Sequence, residues 1–95
     1  MKTKLGKDEL LLKGESFFEN GKFTVNDVPE RIDYLTKNVL KKINTCDGGW
    51  IILYLDESDG RYWELFYPEA NWKDFGPPSL RHIPEAEAKE KYQLK

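Results

Sequence analysis

Few residues in this 95-residue chain have the types and spacing that catalysis requires. His82 is the sole histidine, so any Ser-His-Asp or Cys-His relay has to run through it. It stands between Arg81 and Ile83 with no convincing nucleophile nearby in sequence, and reads more simply as a surface or edge-strand imidazole. Cys46 is the only cysteine, which excludes an intrachain disulfide and leaves a thiolate metal site short of ligands. It reads as a partly buried small hydrophobe in a loop. Asp56, Glu57 and Asp59 crowd a short turn ending in Gly60. A calcium loop needs alternating acidic ligands before its glycine and a distal glutamate, a spacing not met here, and hairpin turns favour Asp for local backbone bonds anyway. Gly48-Gly49 follows a helical pattern and precedes a strand, the reverse of the order in a phosphate-binding loop. An enzyme would be left with Glu64, His82 and Arg81, a trio that matches no recognised motif. The chain is expected to be no enzyme and to hold no metal and no cofactor.

Recognition chemistry is better represented. Asp56, Glu57 and Asp59, with Glu69 and Asp74 in the following loop, suit a basic protein surface, and Trp72 and Phe75 are of the residue types that anchor interfaces. The same acids also read as solvated turn residues, and the same aromatics as closure of the core; the residues alone leave both open. Glu64, flanked by Tyr62 and Phe66 on one strand face, requires either a half-covered sheet or a cation such as Arg61 or Arg81. For Arg61 and Glu64, a cross-strand ion pair or a bond to a buried backbone group competes with partner contact.

Composition narrows the partner. Lys plus Arg number 15 against 17 Asp plus Glu, a near balance at net −2, whereas nucleic-acid binders usually carry a clear basic excess. The N-terminal stretch has charges on both sides of a run of only three leucines, too short for a signal-peptide core or a membrane span. A cytoplasmic protein with neither nucleic acid nor membrane as partner is expected.

The elements that position these residues follow from periodicity. Asn20-Gly21 predicts a type I′ hairpin pairing 16–19 with 22–26. Asp27 reads as a helix N-cap, with Glu30 completing a capping box and Pro29 in the first turn. Val28, Ile32, Leu35, Val39 and Ile43 then recur at steps of three or four and predict a helix over 28–43, with Lys37, Lys41 and Lys42 in its last turns matching the dipole. From Trp50 the period becomes two. Strands over 50–55 and 61–67 flank the acidic turn, the first apolar on both faces and therefore central. The proline-rich segment 69–78 predicts an irregular loop, 79–83 an edge strand open to pairing, and Pro84 the start of a closing helix. The order predicts an α+β fold: one domain over 1–95, ordered over about 10–92 between flexible termini, with an antiparallel sheet of about five strands packed against one long helix.

The segment Gly49-Trp50, Leu53-Tyr54, Asp56, Asp59-Gly60-Arg61-Tyr62-Trp63-Glu64-Leu65 and Tyr67-Pro68 resembles the immunity protein 27 family of bacterial polymorphic toxin and contact-dependent inhibition systems. Leu12-Lys13-Gly14, Glu19-Asn20-Gly21-Lys22, Arg31-Ile32, Leu40-Lys41-Lys42-Ile43, Gly76-Pro77-Pro78 and the 87–92 ending are similar too. The chain departs from that pattern at Pro84, in place of a Ser-type cap, and at Trp72 and Phe75 in the 71–75 loop. The resemblance implies a cytoplasmic inhibitor without catalysis of its own, whose partner is the C-terminal domain of a cognate toxin. The candidate contacts are Asp56, Glu57, Asp59, Arg61, Glu64, Glu69, Trp72, Asp74 and Phe75. The competing class is a small binding module that takes a peptide or ligand on the sheet face around Tyr62, Glu64 and Phe66.

Overall fold

The computed structural model describes residues 4–68, 70 and 76–94, the side chain of Asp47 excepted. Its centre is the hairpin that the alternation predicts: β5 (Ile51–Asp56) and β6 (Arg61–Phe66) pair antiparallel, with Leu53 opposite Glu64 and Tyr54 opposite Trp63. Around it, β1 (Leu11–Leu12), β4 (Lys41–Cys46) and β7 (Ser79–Ile83) complete a five-stranded antiparallel sheet in the order β1-β7-β6-β5-β4. The fold is α+β with the expected number of strands, but its members differ. β2 (Ser16–Glu19) and β3 (Lys22–Val25) do pair across Asn20-Gly21, yet they form a separate two-stranded sheet. Asn20 and Gly21 take φ of 51° and 76°, the left-handed pair that a type I′ turn requires.

The long helix is shorter than its apolar spacing predicts. α1 (Val28–Asn38) stops where the amides of Val39 and Leu40 both donate to the Leu35 carbonyl, at 2.9 and 2.7 Å. Lys41 and Lys42 therefore lie in strand β4, not in a last helical turn. Val39 packs with the core beneath α1, whereas Ile43 packs on the other side of the sheet. The periodicity running through both is thus coincidental, and pairing of β4 with β5 overrides it. Asp27 does occupy the N-cap, but its backbone is already helical (φ −82°, ψ −4°) and its side chain makes no cap bond, so no capping box forms.

β7 is not an edge strand. It lies between β6 and β1, which removes 79–83 as a pairing site. The other edge is β4, where exposed Lys41 and Lys42 and a register shift between Lys42 and Asn44 discourage a further strand.

Both faces of the sheet are covered, which accounts for the two-sided apolarity of β5. On one face Leu12, Tyr54, Trp63, Leu65 and Leu80 pack with Ile32, Leu35 and Leu40. On the other, α2 (Glu85–Tyr92) lays Ala88 and Tyr92 over Leu53 and Ile83, beside Ile43, Cys46 and Tyr62. Glu64 sits beneath α2 at 2% exposure. Arg81 Nε donates to its Oε1 at 2.8 Å, while Lys91 Nζ and the Tyr92 hydroxyl reach its Oε2 at 2.7 and 2.8 Å. One carboxylate thereby joins β6, β7 and α2.

Two motifs distant in sequence meet at the start of β7. Gly14 donates its N–H to the buried Ser79 hydroxyl at 2.9 Å, and a Cβ at Gly14 would fall 2.0 Å from the Pro78 carbonyl oxygen. Only glycine fits there, because the obstacle is backbone.

Burial pushes the Glu64 carboxyl up, but hydrogen bonds from Lys91, Tyr92 and Arg81 outweigh it and hold the group below the usual carboxylate range. Glu64→Gln is expected to lower unfolding stability at neutral pH by about 2–3 kcal/mol, less than for a fully enclosed pair because Arg81 and Lys91 can reach water. Since the folded-state value is depressed, this contribution is complete above the unfolded glutamate value and disappears as pH falls through the folded one. Urea titrations of both proteins from neutral to strongly acidic pH check it: the gap closes in acid, and a pH-independent gap contradicts it. Gly14→Ala is expected to lower Tm by about 10 °C or more in a thermal melt, through overpacking against Pro78.

Candidate functional site

The acidic turn between β5 and β6 is tied largely to itself. Asp56 is only 3% exposed; its Oδ1 accepts the Ser58 amide at 3.0 Å and the Ser58 hydroxyl at 2.6 Å. Its carbonyl accepts the Gly60 amide at 2.8 Å. Asp59 takes the Arg61 amide on Oδ1 at 3.0 Å and Arg61 Nε on Oδ2 at 2.7 Å. Burial raises the Asp59 pKa, but the Arg61 bonds prevail and hold it below its ordinary value. Asp residues in such turns substitute side-chain oxygens for missing backbone partners. Of its three acids, Glu57 and Asp59 are the exposed ones.

Arg61 carries the turn's order into the rest of the molecule. Its Nη1 and Nη2 donate to the carbonyls of Glu9 at 3.1 Å and Gly6 at 2.9 Å, and its guanidinium lies 4.9 Å from the Trp63 ring centroid. Arg31 grips the same segment from α1, with both Nη atoms 2.7 Å from the Glu9 carboxylate and Nη2 2.7 Å from the Lys4 carbonyl. The two arginines strap the chain from Lys4 to Glu9 alongside the turn.

Of the residues proposed from sequence, Asp56, Glu57, Asp59 and Arg61 come together at this end of the hairpin. Glu64 does not join them: it is buried under α2, with Arg81 as the cation it requires. Tyr62 and Glu64 on this face are therefore covered by the protein's own helix, which takes two of the three residues from the ligand-binding alternative. Glu64 and His82 stand on opposite faces of the sheet, since Glu64 pairs with Arg81 and Trp63 with His82. The trio Glu64, Arg81 and His82 is thus not assembled; the His82 ring packs edge-on against Trp63 at 5.8 Å. Cys46 is a free thiol, half-buried against the α2 cluster. Glu69, Trp72, Asp74 and Phe75 lie outside the described residues.

Sequence reasoning passed over a group of exposed apolar residues among those described. Phe17, Phe18, Phe23 and Val25 of the β2–β3 hairpin are 44, 65, 80 and 54% exposed, and the Phe18 and Phe23 rings meet edge-on at 5.2 Å. The signal was present: pairing across Asn20-Gly21 already sets Phe18 opposite Phe23. What the sequence did not convey was that this pair stands outside the main sheet.

Among the described residues no helix is long and apolar enough to cross a membrane, and no group of three or more His, Cys, Asp or Glu could hold a metal ion. No curated protein and no solved structure matches the chain. The family model of immunity protein 27 does, over residues 18–84. That span runs from Phe18 in β2 through α1 and all of β4 to β7, and takes in the acidic turn, Arg61 and Glu64. With well over half of its length matched, the chain belongs to the immunity protein 27 family, whose general role is to neutralise a toxin.

Proposed function

We propose that this protein neutralises its cognate toxin domain in the cytoplasm by covering the toxin's active site or substrate path. The observation that carries the proposal is the family match spanning the whole β4–β7 frame. Inhibition of this kind requires no reaction by the inhibitor, only an interface of roughly 1,200–2,000 Å² with a few desolvated anchors.

The acidic turn is one part of that interface. Glu57 and Asp59 meet a basic toxin surface and speed its capture, since complementary charge acts chiefly on the rate of association. Asp56 and Arg61 shape and hold the turn, and Glu64 fixes the strand that bears it. Glu69, Trp72, Asp74 and Phe75 of the following loop are further candidate contacts, with the two aromatics as anchors.

Co-expression provides the test. A toxin C-terminal domain encoded beside this gene is expected to kill cells when expressed alone and to be harmless beside this protein; continued killing sinks the proposal. Glu57→Lys, at an exposed position, is expected to leave Tm within about 4 °C of wild type. It should slow association with that domain by roughly tenfold at low salt and flatten the salt dependence, as followed by stopped-flow fluorescence.

A further inference from the structure

Every strand residue of the β2–β3 hairpin is exposed, and alternation gives it two unlike faces. The pairs Ser16–Val25 and Phe18–Phe23 share one face, and Phe17–Thr24 and Glu19–Lys22 share the other. On the first, Phe18, Phe23 and Val25 form an apolar stripe left largely uncovered. A two-stranded hairpin is marginal by itself in water, so this one has to be held at its base. Asn26 does so. Its backbone N–H donates to the Glu15 carbonyl at 3.0 Å, its Oδ1 accepts the Glu15 amide at 3.2 Å, and its Nδ2 donates to the Lys13 carbonyl at 2.9 Å. Clamped at the base and closed by a type I′ turn, the arm is shaped before anything binds, which reduces the ordering cost of association.

We infer that this arm is a docking finger for the toxin domain, with Phe18 and Phe23 entering an uncharged, apolar cleft of that partner. The inference rests on the immunity function proposed above and names a surface within it that is separate from the acidic turn. The chemistry of the cleft follows from the arm: Glu19 opposes Lys22, so the hairpin strands carry no net charge, and the stripe itself is apolar. A second copy of the chain is a poorer occupant. Two part-exposed rings and a valine present on the order of 350–400 Å². Two arms face to face would bury about 800 Å², below the roughly 1,200 Å² of a stable interface. As central anchors within a larger heteromeric interface, the same rings have the right size and residue type. The family match begins at Phe18, so the turn and both rings fall inside the segment that defines a toxin-neutralising family, although they add nothing to the buried core.

The test uses the full chain and the C-terminal domain encoded by the adjacent gene, with affinity measured by titration calorimetry. Phe18→Ser/Phe23→Ser is expected to weaken binding at least 30-fold or so, and Phe17→Ser, on the other face, by less than about threefold. Both are expected to melt within about 4 °C of wild type. A wild type that does not bind removes the immunity function and the docking finger together. A wild type that binds while the double variant binds equally well overturns the finger alone. A double variant that melts far lower also overturns it, unless the single variant Phe23→Lys, at the more exposed of the two rings, melts normally and still loses binding. Sedimentation that shows a wild-type dimer dissolved by the double variant overturns it in favour of self-association.

Discussion

A buried carboxylate organises this molecule. Glu64 lies beneath α2 in the central strand, where an isolated charge would be strongly disfavoured, and the chain answers with donors from two other elements: Arg81 in β7, and Lys91 and Tyr92 in α2. Burial and then the bond to Glu64 push the Tyr92 phenol far above its ordinary value, so it remains a donor. Arg81 in turn reaches Glu87 at 3.1 Å. α2 is short and thinly apolar, with Ala88 and Tyr92 its buried side chains, so directional bonds to Glu64 fix where it docks. That docking seals the second face of the sheet and sets β6, with the acidic turn at its start, in place.

Legibility in the sequence followed the range of the forces involved. The β5–β6 hairpin was readable because alternation and turn chemistry are local, and Glu64's need for a cation was readable because its flanks are Tyr62 and Phe66. The end of α1 was hidden: Val39 and Ile43 keep helical spacing although they serve opposite faces of the sheet. β1, with two residues, is too short to leave a pattern, and without it β7 looked like an edge. In the turn, acidity suggested a charged surface, but Asp56 is buried because its side chain completes local hydrogen bonds. Residue type alone does not separate an acid that builds a turn from one that faces a partner.

The arginines show a similar division of labour. Arg31 and Arg61 come from different elements, yet both direct planar, multiply donating groups at the segment from Lys4 to Glu9, where they meet backbone carbonyls and the Glu9 carboxylate. A lysine at either place would supply the charge without the fork. Gly14 performs the corresponding steric task at the other end of β1, admitting Pro78 where any side chain would collide.

The separateness of the β2–β3 arm bears on how such a protein can change over generations. The body is over-determined: Glu64, Gly14 and the two faces of the sheet each limit replacement through stability. The arm is closed at its base by Asn26 and its strand residues are all exposed, so they can vary while the fold keeps its margin. Selection can therefore act on what those strands recognise almost independently of whether the chain folds, giving one scaffold many lineages of different specificity.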